Sequence, residues 1–478
     1  MRALRSPRSP RSPRVMRSPR TLRAPLAAAL AASGALAACN SSTIVVGELQ
    51  EVSTLKAIPN RKLDLLFVID NSPSMLDKQR ALTESFPAMI EILERVDGGL
   101  PDLHIGVVTS DMGTLAANSP TPAPAIGVLG NGGCAGSGDD GALQIGAAAL
   151  PQPFISDVAG PGGARVRNYT GDLRDVFAQI ASVGQGGCGF EQPLAALRRA
   201  LVNPANAGFL RPDANLGVVL IADEDDCSAL DPQLFGPESP QLGALQSFRC
   251  TRFGVVCQPD DTAPGPKSGC VPRADSLFVE DVQPFVDALL AAKPDPRHVM
   301  VAAIAGDPEP FALEVAAPPG GGTAQPRLAH SCQFTGAGGP EVADPAVRLS
   351  AFLDAFPGRS ELTSICSASL AAPLVTIGAT AKKLVGDPCL DAPLLADASS
   401  DPGLQPACEV IDIRDSDPDR PQALPRCEPG ATGAADCFEI VSDPAACPSA
   451  PENLRIQLRR AAPVTDDTWS HVRCQLRS

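Results

Sequence analysis

Three segments leave little freedom about what this chain folds into: residues 63–70 (LDLLFVID), 216–223 (LGVVLIAD) and 298–305 (HVMVAAIA) are almost unbroken apolar runs. Short runs rich in Leu, Val and Ile read as strands buried on both faces, the pattern of a parallel sheet covered by helices above and below. Residues 103–110 (LHIGVVTS) read the same way. Between the strands the apolar period lengthens to that of a helix. Leu82, Phe86, Met89, Ile90, Leu93 and Val96 form one such stripe, Leu173, Val176, Phe177 and Ile180 a second behind a capping Asp172, and Leu194, Leu197 and Leu201 a third. Further stripes follow at Phe278–Leu289, at Leu349, Phe352 and Leu353 behind an Asp344-Pro345 start, and at Leu370, Leu374, Ile377, Ala381 and Leu384. The expected fold class is therefore α/β, an open, mostly parallel sheet with helices on both faces, spanning residues 61–385.

The first strand ends in Asp70-Asn71-Ser72-Pro73-Ser74. In an open α/β sheet, ligands bind beyond the carboxyl ends of the strands, where the strand order reverses. A carboxylate and two hydroxyls on that turn offer hard oxygens, which suit Mg²⁺, Ca²⁺ or Mn²⁺ better than soft metals.

With strand, D-x-S-x-S and helix in that order, residues 61–385 resemble a von Willebrand factor A (VWA) domain, and the motif resembles its metal-ion-dependent adhesion site. The resemblance implies a divalent cation held by Asp70, Ser72 and Ser74, with Asp223, at the end of LGVVLIAD, in place of the family's later Asp. It also implies a protein partner that completes the cation's shell with an acidic side chain. The family's Thr has no counterpart: Cys188 stands at or near its position in Gly187-Cys188-Gly189-Phe190-Glu191. Glu191 and Asp225 are the oxygens that could replace it. The run 223–226 (DEDD) reads as a solvated acidic loop.

The first 38 residues hold eight Arg and no acid and end in the apolar run 24–38 (APLAAALAASGALAA), the layout of a secretory signal peptide. Leu36-Ala37-Ala38-Cys39 resembles the lipobox of bacterial lipoproteins, in which the Cys becomes the acylated first residue. Asn40 is not the Asp that resembles an inner-membrane retention signal, so an outer-membrane anchor in the cell envelope is expected. Removing those arginines from a chain of net charge −15 leaves a still more acidic protein, which repels nucleic acid.

Setting Cys39 aside, 14 of the 15 Cys remain, an even number that reads as a disulfide framework in an exported chain. Cys188 and Cys227 each follow an element ending at the carboxyl edge of the sheet, so they are expected to pair. Residues 39–60 read as a polar tether. Beyond residue 385 the helical period stops, and 386–478 carry six Cys and short alternating runs, a small disulfide-rich β region.

No G-x-S-x-G, phosphate loop or C-x-x-C is present, and His104 and His298 lie on or beside strands, where structural roles fit them. The sequence points to an envelope-anchored binding, adhesion or scaffold protein and not an enzyme. Two other readings stay open: a structural envelope lipoprotein whose site has lost its metal, and a metal-assisted hydrolase working through Asp70.

Overall fold

The computed structural model describes residues 49–476 except 58, 97, 318–322, 337, 387, 391–394, 397–405, 429–435, 445–446, 448–449, 451 and 466. The expected signal peptide and Cys39 lie outside the described residues. Among those described, no helix is long and apolar enough to cross a membrane.

The apolar runs form the centre of a seven-stranded sheet. Its strands are β2 (Lys62–Ile69), β3 (Asp102–Thr109), β4 (Ile155–Ala159), β5 (Arg165–Arg167), β6 (Asn215–Ile221), β9 (Val299–Ala305) and β14 (Ser360–Ser364), in the spatial order β14-β9-β6-β2-β3-β4-β5. The five strands from β14 to β3 are parallel, and β4 and β5 continue the sheet antiparallel. The apolar-run pattern that marks the central strands does not mark β4, β5 or β14. None of the three is long and apolar, because each lies at or near an edge where two-sided burial lapses.

Strand β2 is the middle of the stack and is buried from Leu63 onward. Its alternating side chains divide the interior. Leu63, Leu65, Phe67 and Ile69 face α1 (Leu76–Glu94), α2 (Leu173–Ala181) and α7 (Ala371–Leu384). Leu66 and Val68 face α3 (Pro193–Val202), α5 (Gln283–Leu290) and α6 (Val347–Asp354). On the first face Phe67, Phe86 and Phe177 meet, the last two stacked with ring centres 3.5 Å apart. On the second, Gly106 lets Leu143 and Phe209 close on β3: a Cβ there would fall 2.5 Å from Leu143 Cδ2.

The helix at 347–354 does not use Asp344-Pro345 as its cap. It starts at Val347, and the free N–H groups of Arg348 and Leu349 donate to Asp225, 123 and 124 residues away in sequence. The start signal was real but local, and a remote carboxylate took over its task.

Residues between the sheet strands build a clamped insertion. Helix α4 (Phe248–Gly254) leads into β7 (Val255–Gln258) and β8 (Gly265–Pro272), which join β10 (Phe311–Ala316) and β11 (Gln325–Leu328) in the order β11-β10-β8-β7. A hairpin of β12 (Cys332–Thr335) and β13 (Pro340–Ala343) follows. Cys227–Cys250, Cys257–Cys270 and Cys332–Cys366 cross-link this region.

The C-terminal residues form β15 (Cys408–Arg414), β16 (Asp417–Leu424), β17 (Cys437–Ser442), β18 (Leu454–Arg459) and β19 (Thr468–Gln475), held by Cys389–Cys447, Cys408–Cys474 and Cys427–Cys437. The reading of 39–60 as a plain tether is corrected here. Leu49–Lys56 is a strand, β1, paired antiparallel with Trp469–Gln475 of β19, and Leu55 joins the same small core as Val410, Ile456 and Val472. Its polar sequence hid it, since only one face of that sheet is buried.

Deleting residues 47–57 strips β19 of one neighbour. Hydrogen exchange at the β19 amides should then quicken by at least about tenfold while β2 and β6 stay protected. Unchanged protection in β19 would mean that the pairing adds nothing to the β region.

Candidate functional site

Asp70 leaves β2 at the point where the strand order turns back, with β3 on one side and β6 on the other. Its backbone N–H donates to Ile221 O at 2.8 Å, which fixes the D-x-S-x-S turn to the end of β6. Asp70 is fully buried, and Oδ1 accepts from Ser72 N at 2.7 Å and from Ser110 Oγ at 3.3 Å. Gln79 donates to Asp70 O and to Gly184 O, tying helix α1 to the loop before α3.

From there a polar chain runs across the strand ends. Ser72 Oγ lies 3.1 Å from Ser74 Oγ, which donates to Asp223 Oδ1 at 3.1 Å. The four residues singled out by the motif and the strand end are thus brought together. Asp70 Oδ2 and the neighbouring Asn71 Oδ1 are buried without a hydrogen-bond partner. A buried polar atom left so is costly and calls for an explanation.

Of the residues expected near the missing Thr, Glu191 and not Cys188 is the one set against Asp70. Cys188 is drawn into a disulfide with Cys134, and Glu191 is buried close enough to Asp70 for the two charges to oppose each other. Asp225 is elsewhere, spent on the start of α6. The expected Cys188–Cys227 disulfide is also corrected: both cysteines are bridged, but to Cys134 and Cys250. Cys227 does approach the Cys188 loop, its N–H donating to Glu191 O at 2.8 Å, so the two loops adjoin without a covalent link.

Nor is 223–226 a solvated loop. Asp223 and Asp226 are buried, the latter in an ion pair with buried Arg348 at 2.9 Å. Glu224 turns back toward Glu191 and Asp223.

Burial first, and then the Asp223 carboxylate, push Asp70 up from the ordinary aspartate value to about 8. Burial followed by Glu224 and Asp70 raises Glu191, and burial followed by Asp344, Asp223 and Asp70 raises Glu224. One cation answers this cluster. Lys78, itself buried, lies 2.9 Å from Asp223 Oδ2 and 2.6 Å from Glu341 Oε2, and donates to Ser74 O at 3.1 Å. Burial works against its charge, but Asp223 and Glu341 more than offset that and hold the ammonium above the usual lysine value.

Lys78 sits four residues after Ser74 and so on the same helical edge, a spacing that could have marked it. Nothing in the sequence near β13 could have marked Glu341. Among the described residues no three His, Cys, Asp or Glu side chains are grouped to hold an ion by themselves. The arrangement offers two carboxylates and two hydroxyls, and the unpartnered Oδ2 of Asp70 fits a hard cation in that donor set.

No family model and no curated protein matches this sequence. Solved structures that overlap with it include a von Willebrand factor type A protein from Catenulispora acidiphila (12% identity, 91% of this chain and 60% of that one, TM-score 0.26). Proximal thread matrix protein 1 from the mussel byssus overlaps at 10% identity, over 67% of this chain and 48% of its own, with TM-score 0.28. The pilus adhesin RrgA from Streptococcus pneumoniae does so at 11%, over 90% and 58%, with TM-score 0.26. The chain spans about half the length of these solved chains. Overlap this loose carries no functional conclusion.

Asp70 binds a proton more tightly when folded than when unfolded, so the stability it contributes is present below about pH 4 and is lost as pH rises toward 8. In chelator, Asp70→Asn keeps an acceptor for Ser72 N–H and removes the charge. It should match wild type near pH 4 and exceed it by on the order of 1–3 kcal/mol at pH 8. Parallel denaturation curves at both pH values would expose the opposite trend.

Proposed function

We propose that this protein is an exported, VWA-like binding protein, anchored in the envelope through Cys39, that recognises a protein partner through a divalent cation at the Asp70 turn. The observation that carries the reading is the buried, unpartnered Oδ2 of Asp70 beside the Ser72–Ser74–Asp223 chain.

Asp70, Ser72, Ser74 and Asp223 would hold the ion, with Glu191 beside them as an additional charge. When bound, the cation supplies positive charge and an open coordination position for an acidic side chain of the partner. The chain's own residues do the rest. Ser110 and the Ser72 N–H orient Asp70, Lys78 turns Asp223 so that Oδ1 faces Ser74, and Ser74, which is exposed, opens the site to solvent. The proposal is binding without turnover.

One observation favours a second reading, a structural lipoprotein that needs no metal. Lys78 already places a positive charge on Asp223. Thermal melts separate the two. If the site takes an ion, Mg²⁺, Ca²⁺ or Mn²⁺ at about 100 times its Kd should stabilise wild type by about 2.7 kcal/mol and leave Asp70→Ala unmoved. A melting temperature indifferent to all three ions sinks the cation reading. A pull-down from envelope extract should likewise lose its partner on chelation and with Asp70→Ala. A hydrolase would instead reveal itself by turnover that Asp70→Ala abolishes.

The anchor is tested separately. Several acyl chains, each stabilising by about 0.8 kcal/mol per buried CH₂, would hold the chain to the bilayer permanently. Cys39→Ala should therefore move the protein from the membrane to the soluble fraction, and retention in the membrane would place the anchor elsewhere.

A further inference from the structure

The disulfide-clamped insertion contains a cavity of about 400 Å³ that plays no part in the Asp70 site. Helix α4 and strands β7, β8 and β10 wall it, with Val255, Phe311 and Leu313 buried at its base and Phe253 along one side. A cavity of this size that sets an apolar base against charged groups around its rim suits a small amphipathic molecule.

The rim charges are unequal. Asp260 is paired with Arg273 and Asp261 with Lys267, while the remaining acid of the wall, Asp275, is exposed. Arg252 is different. Its guanidinium lies 5.1 Å from the centre of the Phe253 ring, and among the described residues it has no hydrogen bond or ion pair. Behind it Arg249 is buried and donates to the carbonyls of Leu234, Gly236, Gly243 and Ala244, with no carboxylate on its nitrogens. Burial, and next the charge of Arg252, hold Arg249 below the usual arginine value, with Glu238 offsetting part of that, so the two guanidiniums lie close enough to repel each other.

We propose that this cavity binds a small organic monoacid, with its carboxylate on Arg252 and an aromatic or branched-aliphatic body against Phe253, Phe311 and Leu313. A planar guanidinium matches a carboxylate with two parallel N–H donors. Among the described lining residues Arg252 is the cation without a carboxylate partner, which suits one negative charge, and the acids of the same wall, Asp260, Asp261 and Asp275, disfavour a doubly charged phosphate. Val255, Phe311 and Leu313 give a body of roughly ten heavy atoms an apolar surface, which a bare anion would leave unused.

Titration calorimetry of the full chain with 3-phenylpropionate tests this, with 3-phenyl-1-propanol and acetate as the uncharged and bodiless probes. The acid should bind saturably, and both controls should bind at least about tenfold more weakly. Arg252→Gln should weaken the acid by at least about tenfold with the melting temperature of the free protein unchanged, and Arg252→Lys should recover part of the loss. No binding of the acid overturns the proposal. Equal binding of the alcohol removes the role of Arg252, equal binding of acetate removes the role of the apolar base, and either overturns it. Binding that survives Arg252→Gln does the same.

Discussion

A strand buried on both faces can place charge only where it enters and leaves the core, and β2 carries an aspartate at each end. Both Asp64 and Asp70 are fully out of water. At the amino end Asp64 is answered: Arg211 Nε lies at 2.8 Å, Lys293 Nζ at 3.2 Å, and Arg211 N–H adds a third donor. At the carboxyl end Asp70 receives one backbone N–H and one hydroxyl and faces other carboxylates. Burial costs a carboxylate several kcal/mol unless something of opposite charge repays it. Two chemically identical residues six positions apart therefore have opposite fates, one a structural ion pair and the other a buried carboxyl group with an open side.

The surrounding architecture holds the open side in place. The Asp70 turn is hydrogen-bonded to Ile221 O, Gly187 N–H donates to Asn71 O at 2.8 Å, and Gly189 N–H donates to Gly132 O. Gly187 packs so closely that a Cβ would fall 2.1 Å from Asn71 Oδ1, so a larger residue there would have to displace the Asn71 side chain. The Cys134–Cys188 bridge fastens the outermost of these loops. Long glycine-rich connections are ordinarily mobile, and a cross-link limits the unfolded states they can reach. The same device recurs in the insertion around Arg252, where two disulfides cross-link the elements that wall the cavity.

Much of this was legible in the residues. The four central strands were readable to within a residue or two, because unbroken apolar runs have few other uses. D-x-S-x-S could be placed at the ligand edge for the same reason, and the resemblance singled out Asp223 from its place at the end of a buried run. Edge strands β4, β5, β14 and β1 were not legible, since a strand with a solvated face carries a weak pattern. Lys78 was open to detection through its i, i+4 spacing from Ser74. Glu341, Glu224 and the capping use of Asp225 were not, because each acts on a partner remote in sequence or folded back over its own loop. The disulfides divide similarly: an even number of cysteines implied bridges, and their pairing depended on loop paths that spacing does not encode.

What the sequence determined by itself was the layered α/β sheet and the turn on which the site stands, because hydrophobic run length and helical period are local and follow from backbone geometry. What only the tertiary structure decided was the balance of charge at that turn: Glu191 and not Cys188 beside Asp70, Lys78 shared between Asp223 and Glu341, and Asp225 turned away to α6. Electrostatic energy depends on distance through space and on exclusion of water, and neither is a property of positions along a chain.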